Sequence, residues 1–541
     1  MKKRNKGTLG EAKGAAALDA LRRKMTPAVA AAASKPVPAS AVDFAVAMAQ
    51  RARQTPPPTA EASKASAKRK PENNKQIIKL PRAQAEAVLK RLAEQAHVPN
   101  GDAAVAAPVG SDFGAADYKR VMGLRSKLDR FGADHRAPDA VGEATLRDVT
   151  RRLALGAGIV ETILDPDNGY FVGHDFGTST TKVVLRSPYN RSRPAFALPV
   201  PADWSSGGQP HLWPTMIFFQ SETGRFSLLP TTDSKCLSGF KSALIENCGH
   251  RICAASGVTM AEAATAFLAL HLAYTLGALV ERDPEALLAG VNVGVPVAAL
   301  ADGHARQVFM NIFSAAHRLV TRAENLTLDD LRQTGDAEDI GAIPFELHAE
   351  LSGAIAGYCA GPRPFLGPHM IIDCGSATLD MASFGLGREP WPIGIHAASV
   401  ERLGADACAV YVGAGATIES CRRAARYQEY AVFRDTLRRS SSFRQDEQHR
   451  FLYQVILTGG GIDSDVHKPL LDSIQTAFHR SFHRPLLDRD LQCEAGTQPG
   501  RLILADGLAR DPIELREVAM PRDRPVAPDY AGPEMITKDQ M

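Results

Sequence analysis

From about residue 168 onward, short runs of β-branched and apolar residues bounded by glycine alternate with long stretches whose apolar positions recur at helical spacing. A strand returns to the same face every second residue and a helix every third or fourth, so the alternation of the two periods predicts an α/β architecture. Ahead of it, residues 114–163 carry only the helical period, with Tyr118, Val121, Met122, Leu124 and Leu128, then Leu146, Val149, Leu153 and Leu155. This reads as a helical lead-in. Two shorter helical patterns, 40–53 with Val42, Phe44, Ala45 and Met48, and 81–97 with Ala85, Val88, Leu89, Leu92 and Ala96, interrupt a segment otherwise rich in Ala, Lys, Pro and Ser. Beyond 512 the prolines Pro521, Pro525, Pro528 and Pro533 stand among charged residues, the composition of a tail. The boundaries expected are therefore an arm over 1–113, a lead-in over 114–167, a body over 168–512 and a tail over 513–541.

Charge changes the picture of the arm. The 541 residues carry a formal net charge of only +3. Residues 1–100, however, hold 20 Lys and Arg against 7 Asp and Glu, which leaves 43 against 53 for the rest. A basic, largely disordered arm is thus joined to an acidic body. Such an arm can contact nucleic acid, an anionic membrane surface or the acidic body itself, and its composition is equally that of a solvated tail. Eight cysteines do not make a disulfide scaffold, and no apolar run is read as approaching the ~18 to 20 residues of a membrane helix. The basic start, Lys2, Lys3 and Arg4, is followed by Glu11, Lys13 and Asp19, which interrupt any secretion signal. The expectation is a soluble, reduced, cytoplasmic protein with no transmembrane segment.

The candidate chemistry lies in the body. Residues 170–185 read as strand, Gly/Thr/Ser turn and strand. In such a hairpin Gly177 lets a ligand approach the backbone, Thr178, Ser179 and Thr180 offer amides and hydroxyls to phosphate oxygens, and Asp175 can orient a magnesium ion or its waters. Residues 369–382 repeat the pattern, with the turn Gly375, Ser376, Ala377 and Thr378 between the acids Asp373 and Asp380. Two such hairpins facing one another can clamp a triphosphate. A third piece, 454–464, is a buried-type strand running into Gly459, Gly460 and Gly461, where a nucleoside can lie against bare backbone. Each element alone is also what an ordinary hairpin or strand-to-helix turn looks like. Other constellations carry less: Cys248, His250 and Cys253 lack a second ligand pair, Cys374 sits where an apolar residue serves, and Trp204 and Trp213 read as core.

Taken in order, these pieces resemble the superfamily of actin, the DnaK-type seventy-kilodalton heat-shock chaperones and the sugar kinases, most closely the chaperone nucleotide-binding domain. Residues 175–182 are similar to its first phosphate motif, 373–380 to its second and 455–461 to its adenosine motif. Residues 291–297 are similar to its strand–Pro–helix element, 350–358 to its connecting helix and 501–509 to its closing helix. The resemblance covers roughly 168–512. It implies an actin-like ATPase with two α/β lobes of duplicated ribonuclease-H-like type, 168–370 and 371–512, that binds ATP and Mg2+. It further implies that the two turns hold the phosphates, that Asp175 and Asp373 position the hydrated metal, and that Lys241, Glu350 and Asp380 organise the γ-phosphate and the attacking water. Lys235 competes with Lys241 for the lysine's part.

The departures matter too. Ser376 and Ala377 stand where the chaperone-like loop has glycines, which weakens binding or turnover if either position needs positive φ or bare backbone. No length remains after the closing helix for a peptide-binding domain, and 381–454 is short for the helical subdomain that covers the nucleotide, so no adenine contacts carry over; Arg422, Arg423 and Arg426 are candidates or simply a solvated face. The implied activity is a slowly hydrolysing molecular switch with a protein partner still to be identified. A non-hydrolysing scaffold and a filament-forming protein are the alternatives.

Overall fold

A computed structural model of the chain describes residues 114–124, 141–160, 162–190, 192–253, 256–333, 343–362, 364–386, 393–439, 454–478, 482–515 and 518–519. The basic arm, with the helices expected over 40–53 and 81–97, lies outside the described residues, as does the chain beyond 519.

The body is mixed α/β, as the alternating periods predict. Its first sheet runs β3-β2-β1-β8-β9, formed by β1 (Tyr170–Asp175), β2 (Thr180–Arg186), β3 (Phe196–Ala197), β8 (Leu288–Val295) and β9 (Phe345–Ala349), with β4 (Trp213–Pro214) also beside β2. Its second runs β14-β13-β10-β11-β12-β15, formed by β10 (Gly367–Cys374), β11 (Leu379–Leu386), β12 (Ile393–Glu401), β13 (Gln454–Thr458), β14 (Phe482–His483) and β15 (Val518–Ala519). A small third sheet has the order β6-β5-β7, from Arg225–Ser227, Met216–Gln220 and Lys235–Ser238. The two large sheets share one plan. In each, a hairpin is central (β1–β2, β10–β11), its first strand pairs in parallel with a later strand (β8, β13), and that strand pairs in parallel with another (β9, β14). The repeat visible in the sequence as two hairpins is thus a repeat of whole sheets.

Helices fill the crossovers that parallel pairs require. Between β7 and β8 run α3 (Phe240–Ile245) and α4 (Met260–Arg282); after β8 comes α5 (Gly303–Leu319), and between β13 and β14 runs α9 (His467–Phe478). α4 starts at a capping box in which Thr259 and Glu262 satisfy each other's backbone amides. Residues 263–280 of α4 contain no charge, and this helix is long and apolar enough to cross a membrane by length and composition. That corrects the expectation that no run approaches membrane length. Here Phe267, Leu270 and Tyr274 are fully buried, and α4 forms the centre of the first core.

The two helices of the lead-in pack on different cores. α2 (Glu143–Ile159) lies along α4, with Arg152 donating to Glu281 at 2.8 Å and to the Tyr274 hydroxyl at 2.6 Å. α1 (Ala115–Met122) packs on α8 (Ile418–Arg439), where Tyr118 meets Tyr427 at 5.1 Å and Val121 enters the core of the second sheet.

Two helices lie where the sheets meet. α6 (Glu350–Ala360) packs Ala354, Ile355 and Tyr358 on Ile371, Phe384 and Ile456 of the second sheet, so the boundary expected at 370/371 falls inside β10, and α6 belongs with the second sheet. α10 (Pro499–Leu508) crosses α6 and also rests on β1 and β2. The crossing is so close that a Cβ on Gly507 would lie 1.8 Å from the Gly353 carbonyl oxygen. α10 is further tied to β2 by Arg186, which donates to the wholly buried Asp506 at 2.7 Å. Burial pushes the Asp506 carboxyl up, with Arg186 and Arg510 opposing. Past α10, Val518 and Ala519 pair in parallel with Ile393 and Gly394, so part of the stretch expected as tail is sheet.

Candidate functional site

The hairpin registers set the chemistry. In β1–β2, Asp175 lies opposite Lys182, and the two side chains pair at 2.8 Å. The turn between them closes tightly: a Cβ on Gly177 would lie 2.1 Å from the Thr180 carbonyl oxygen. In β10–β11 the corresponding pair is Asp373 opposite Asp380, acid against acid. Like charges directly opposite on a sheet repel, and these two are half-buried in the cleft wall. Burial pushes the Asp373 carboxyl up to about 6, reinforced by Asp175 and Glu350 and opposed by Lys182 and the Thr458 hydroxyl. Asp380 is pushed well above the usual carboxylate range by burial, then by Glu350 and Asp373, with Thr378 and Lys241 opposing. One Asp380 oxygen, Oδ1, is buried without a hydrogen-bond partner.

The triple glycine after β13 wraps the second turn. Gly459 has φ +85°, and a Cβ there would lie 2.2 Å from the Cys374 carbonyl oxygen and 2.4 Å from Asp373 Oδ1. Gly461 donates its amide to that same carbonyl at 2.8 Å. Two of the three glycines are therefore required by contact with the hairpin, whereas Gly460 faces the Arg501 guanidinium. Cys374 is buried, and burial holds its thiol well above the ordinary range, the state of an inert core residue.

Sixteen of the residues singled out from the sequence line one cleft of about 550 Å³: Asp175, Gly177, Thr178, Ser179, Thr180, Lys241, Glu350, Asp373, Gly375, Ser376, Ala377, Thr378, Asp380, Gly459, Gly460 and Gly461. Lys241, on α3, is 4% exposed, donates to Glu350 Oε1 at 2.5 Å and lies 5.6 Å from the Phe176 ring centroid. Lys235 is exposed on β7 and does not line the cleft, so the geometry selects Lys241. Neither Ser376 nor Ala377 has positive φ, so the backbone-strain half of the expectation does not apply to them. Ala377 is buried, and Ser376 Oγ donates to Asp406 Oδ2 at 2.5 Å. The start of α7 (Ala405–Gly413) braces the turn: Gly404 donates to the Ala377 carbonyl at 3.1 Å, and Ala405 and Asp406 donate to those of Gly375 and Ser376 at 3.0 and 2.9 Å.

Sequence reasoning did not place Asp406 or Arg501 in the cleft, nor Thr458. Lys182 was legible as the end of the first motif, seven residues beyond Asp175, but not as its ion-pair partner. Trp204 and Trp213 are core, as expected, with ring centroids 6.4 Å apart; Trp204 also reaches the cleft wall beside Ser205, Ser206 and Gly207. Arg422, Arg423 and Arg426 lie on α8 and do not line the cleft. Cys253 is buried but Cys248 only half-buried.

Among the described residues no three His, Cys, Asp or Glu side chains converge to hold a metal ion. A magnesium ion does not need such a cage, since it keeps several waters and takes one or two carboxylates together with phosphate oxygens. The Asp175 and Asp373 carboxylates on the cleft wall fit a hydrated cation, the unsatisfied Asp380 oxygen fits a water beside it, and the turn amides and lysines fit a phosphate chain. No protein-family model matches the chain, and a search of curated proteins finds no match.

Proposed function

We propose that the cleft binds ATP with magnesium and hydrolyses it slowly, and that the two sheets are the lobes of an actin-like ATPase, related to the nucleotide domain of DnaK-type chaperones. The observation that carries this reading is the convergence of two hairpin turns, one from each of two sheets of the same strand order, with a triple-glycine turn, Lys241 and Glu350 on one cleft. Bound ATP would supply a phosphoryl group whose transfer to water releases ADP and phosphate. The amides of residues 178–180 and 376–378 would hold phosphate oxygens, and Asp175 and Asp373 would hold the hydrated cation. Glu350 would orient the attacking water and take up its proton, Asp380 would help to orient that water, and Lys241 would counter developing charge. Because α6 and α10 cross between the sheets, a change in lobe closure moves surfaces on both, which is what a switch read by a protein partner requires.

Calorimetric titration of the full chain with Mg-ATP tests the reading. Wild type should bind, with Asp175→Asn and Asp373→Asn each weakened at least about tenfold, the scale of one lost charge-assisted contact. Glu350→Gln should keep binding and lose phosphate release in single turnover. A folded wild type that does not bind Mg-ATP would overturn the proposal.

A further inference from the structure

Among the described residues that line the cleft, Arg501 stands out because its present contacts do not account for its position. It lies near the start of α10, with its guanidinium over Gly460, where a Cβ would come within 2.6 Å of it. Its Nη2 reaches Thr180 Oγ1 only at 3.5 Å, and its Nε is buried without a hydrogen-bond partner. Among the described residues no carboxylate lies within ion-pair distance of it, although Asp175, Asp373 and Asp406 line the same cleft and their charges act on it. Burial accordingly lowers its proton affinity, with those three acids opposing. A guanidinium has five donors in a fixed planar fork, and taking it out of water with one long bond is costly. The fork is directed into a cleft bounded by the first turn and the triple glycine.

We infer that Arg501 is an anion anchor, binding a phosphate oxyanion of the ligand between Thr180 and Gly460. The inference rests on the nucleotide reading only for what carries the phosphate. It also gives α10 a direct hold on the ligand. Through Asp506 and Gly507, the same helix is fixed to β2 and to α6.

The test is calorimetric titration of the full chain with Mg-ATP and, separately, with pyrophosphate, for wild type, Arg501→Ala, Arg501→Lys and the exposed α8 control Arg423→Ala. Arg501→Ala should weaken both ligands by about 10- to 100-fold, the scale of a charge-assisted fork. Arg501→Lys should fall between, and Arg423→Ala should match wild type. Thermal unfolding of each variant accompanies the titrations: a merely structural arginine lowers the melting temperature and leaves the affinity of the folded protein unchanged. Arg501→Gln replaces the alanine variant where that does not fold. Wild-type affinity for both ligands in Arg501→Ala or Arg501→Gln overturns the inference. Pyrophosphate binding that depends on Arg501, with no binding of Mg-ATP, upholds the anchor and overturns the nucleotide reading; no binding of either ligand by wild type overturns both.

Discussion

Lys241 and Glu350 form a buried pair whose two halves should not be equivalent. At 2.5 Å and an effective dielectric constant of about 20, their gross attraction is on the order of 7 kcal/mol. Most of that is offset by the several kcal/mol each ion loses on leaving water, so replacing both by apolar or neutral side chains of similar size should be close to neutral. Removing one partner leaves the other buried, at a cost of about 3 to 5 kcal/mol. Lys241→Met should incur the whole of it, because Glu350 is then left 14% exposed beside Asp373 and Asp380, and Asp380 loses a cation that favours its ionised form. Glu350→Gln should cost less, because it also removes a repulsion felt by both Asp373 and Asp380. Urea unfolding at pH 7.5 of the two single variants and Lys241→Met/Glu350→Gln gives the cycle. The expected order is Lys241→Met least stable, then Glu350→Gln, with the double variant recovering at least about 2 kcal/mol over Lys241→Met. A coupling below about 0.5 kcal/mol, the worth of a solvated surface pair, refutes the reasoning. So does Glu350→Gln proving the more damaging single change.

Four further outcomes are expected. Gly507→Ala should destabilise by about 3 kcal/mol or more in urea unfolding, since its Cβ would meet backbone at 1.8 Å, whereas Gly158→Ala, in exposed helix with nothing within 4 Å, should stabilise by about 0.5 to 1 kcal/mol. Ser376→Ala should cost about 1 kcal/mol by releasing Asp406, and wild-type stability would show that the bond to Asp406 is not held in solution. Asp373, with its folded value raised to about 6 against about 3.9 when unfolded, keeps a proton in the native state that the unfolded chain has released. Its contribution is therefore full below about pH 4 and lost as pH rises through 6, so the stability of wild type relative to Asp373→Asn should fall across that window in the absence of ligand. Adding Mg-ATP should flatten that dependence by pairing the ionised carboxylate with a cation, and an unchanged profile under saturating ligand would count against a metal at Asp373.

Much of the site was legible because its parts are local. Each phosphate-type turn is a strand, a few residues without bulk and a second strand, so Asp175 to Lys182 and Asp373 to Asp380 declare themselves within eight residues, and the triple glycine within three. The α/β class followed from the alternation of two periods for the same reason. What the chain alone left open depends on residues far apart in sequence. Only packing separates Lys241, buried against Glu350 from 109 positions away, from Lys235, exposed six residues earlier. Arg501 and Asp406 enter the cleft because α10 and α7 begin there, and nothing in their neighbours' spacing says so. Residues 263–280 have a membrane helix's composition, and surrounding core rather than lipid covers them; Val518 and Ala519 have a tail's composition, and an open edge of β12 makes them strand. At Ser376 and Ala377 the sequence showed two side chains in place of glycines, but whether they carry strain depended on φ, which the brace of α7 against the turn decides. Local hydrogen bonding and side-chain size are written in the sequence; which distant surface meets them is decided by burial, summed over the whole fold.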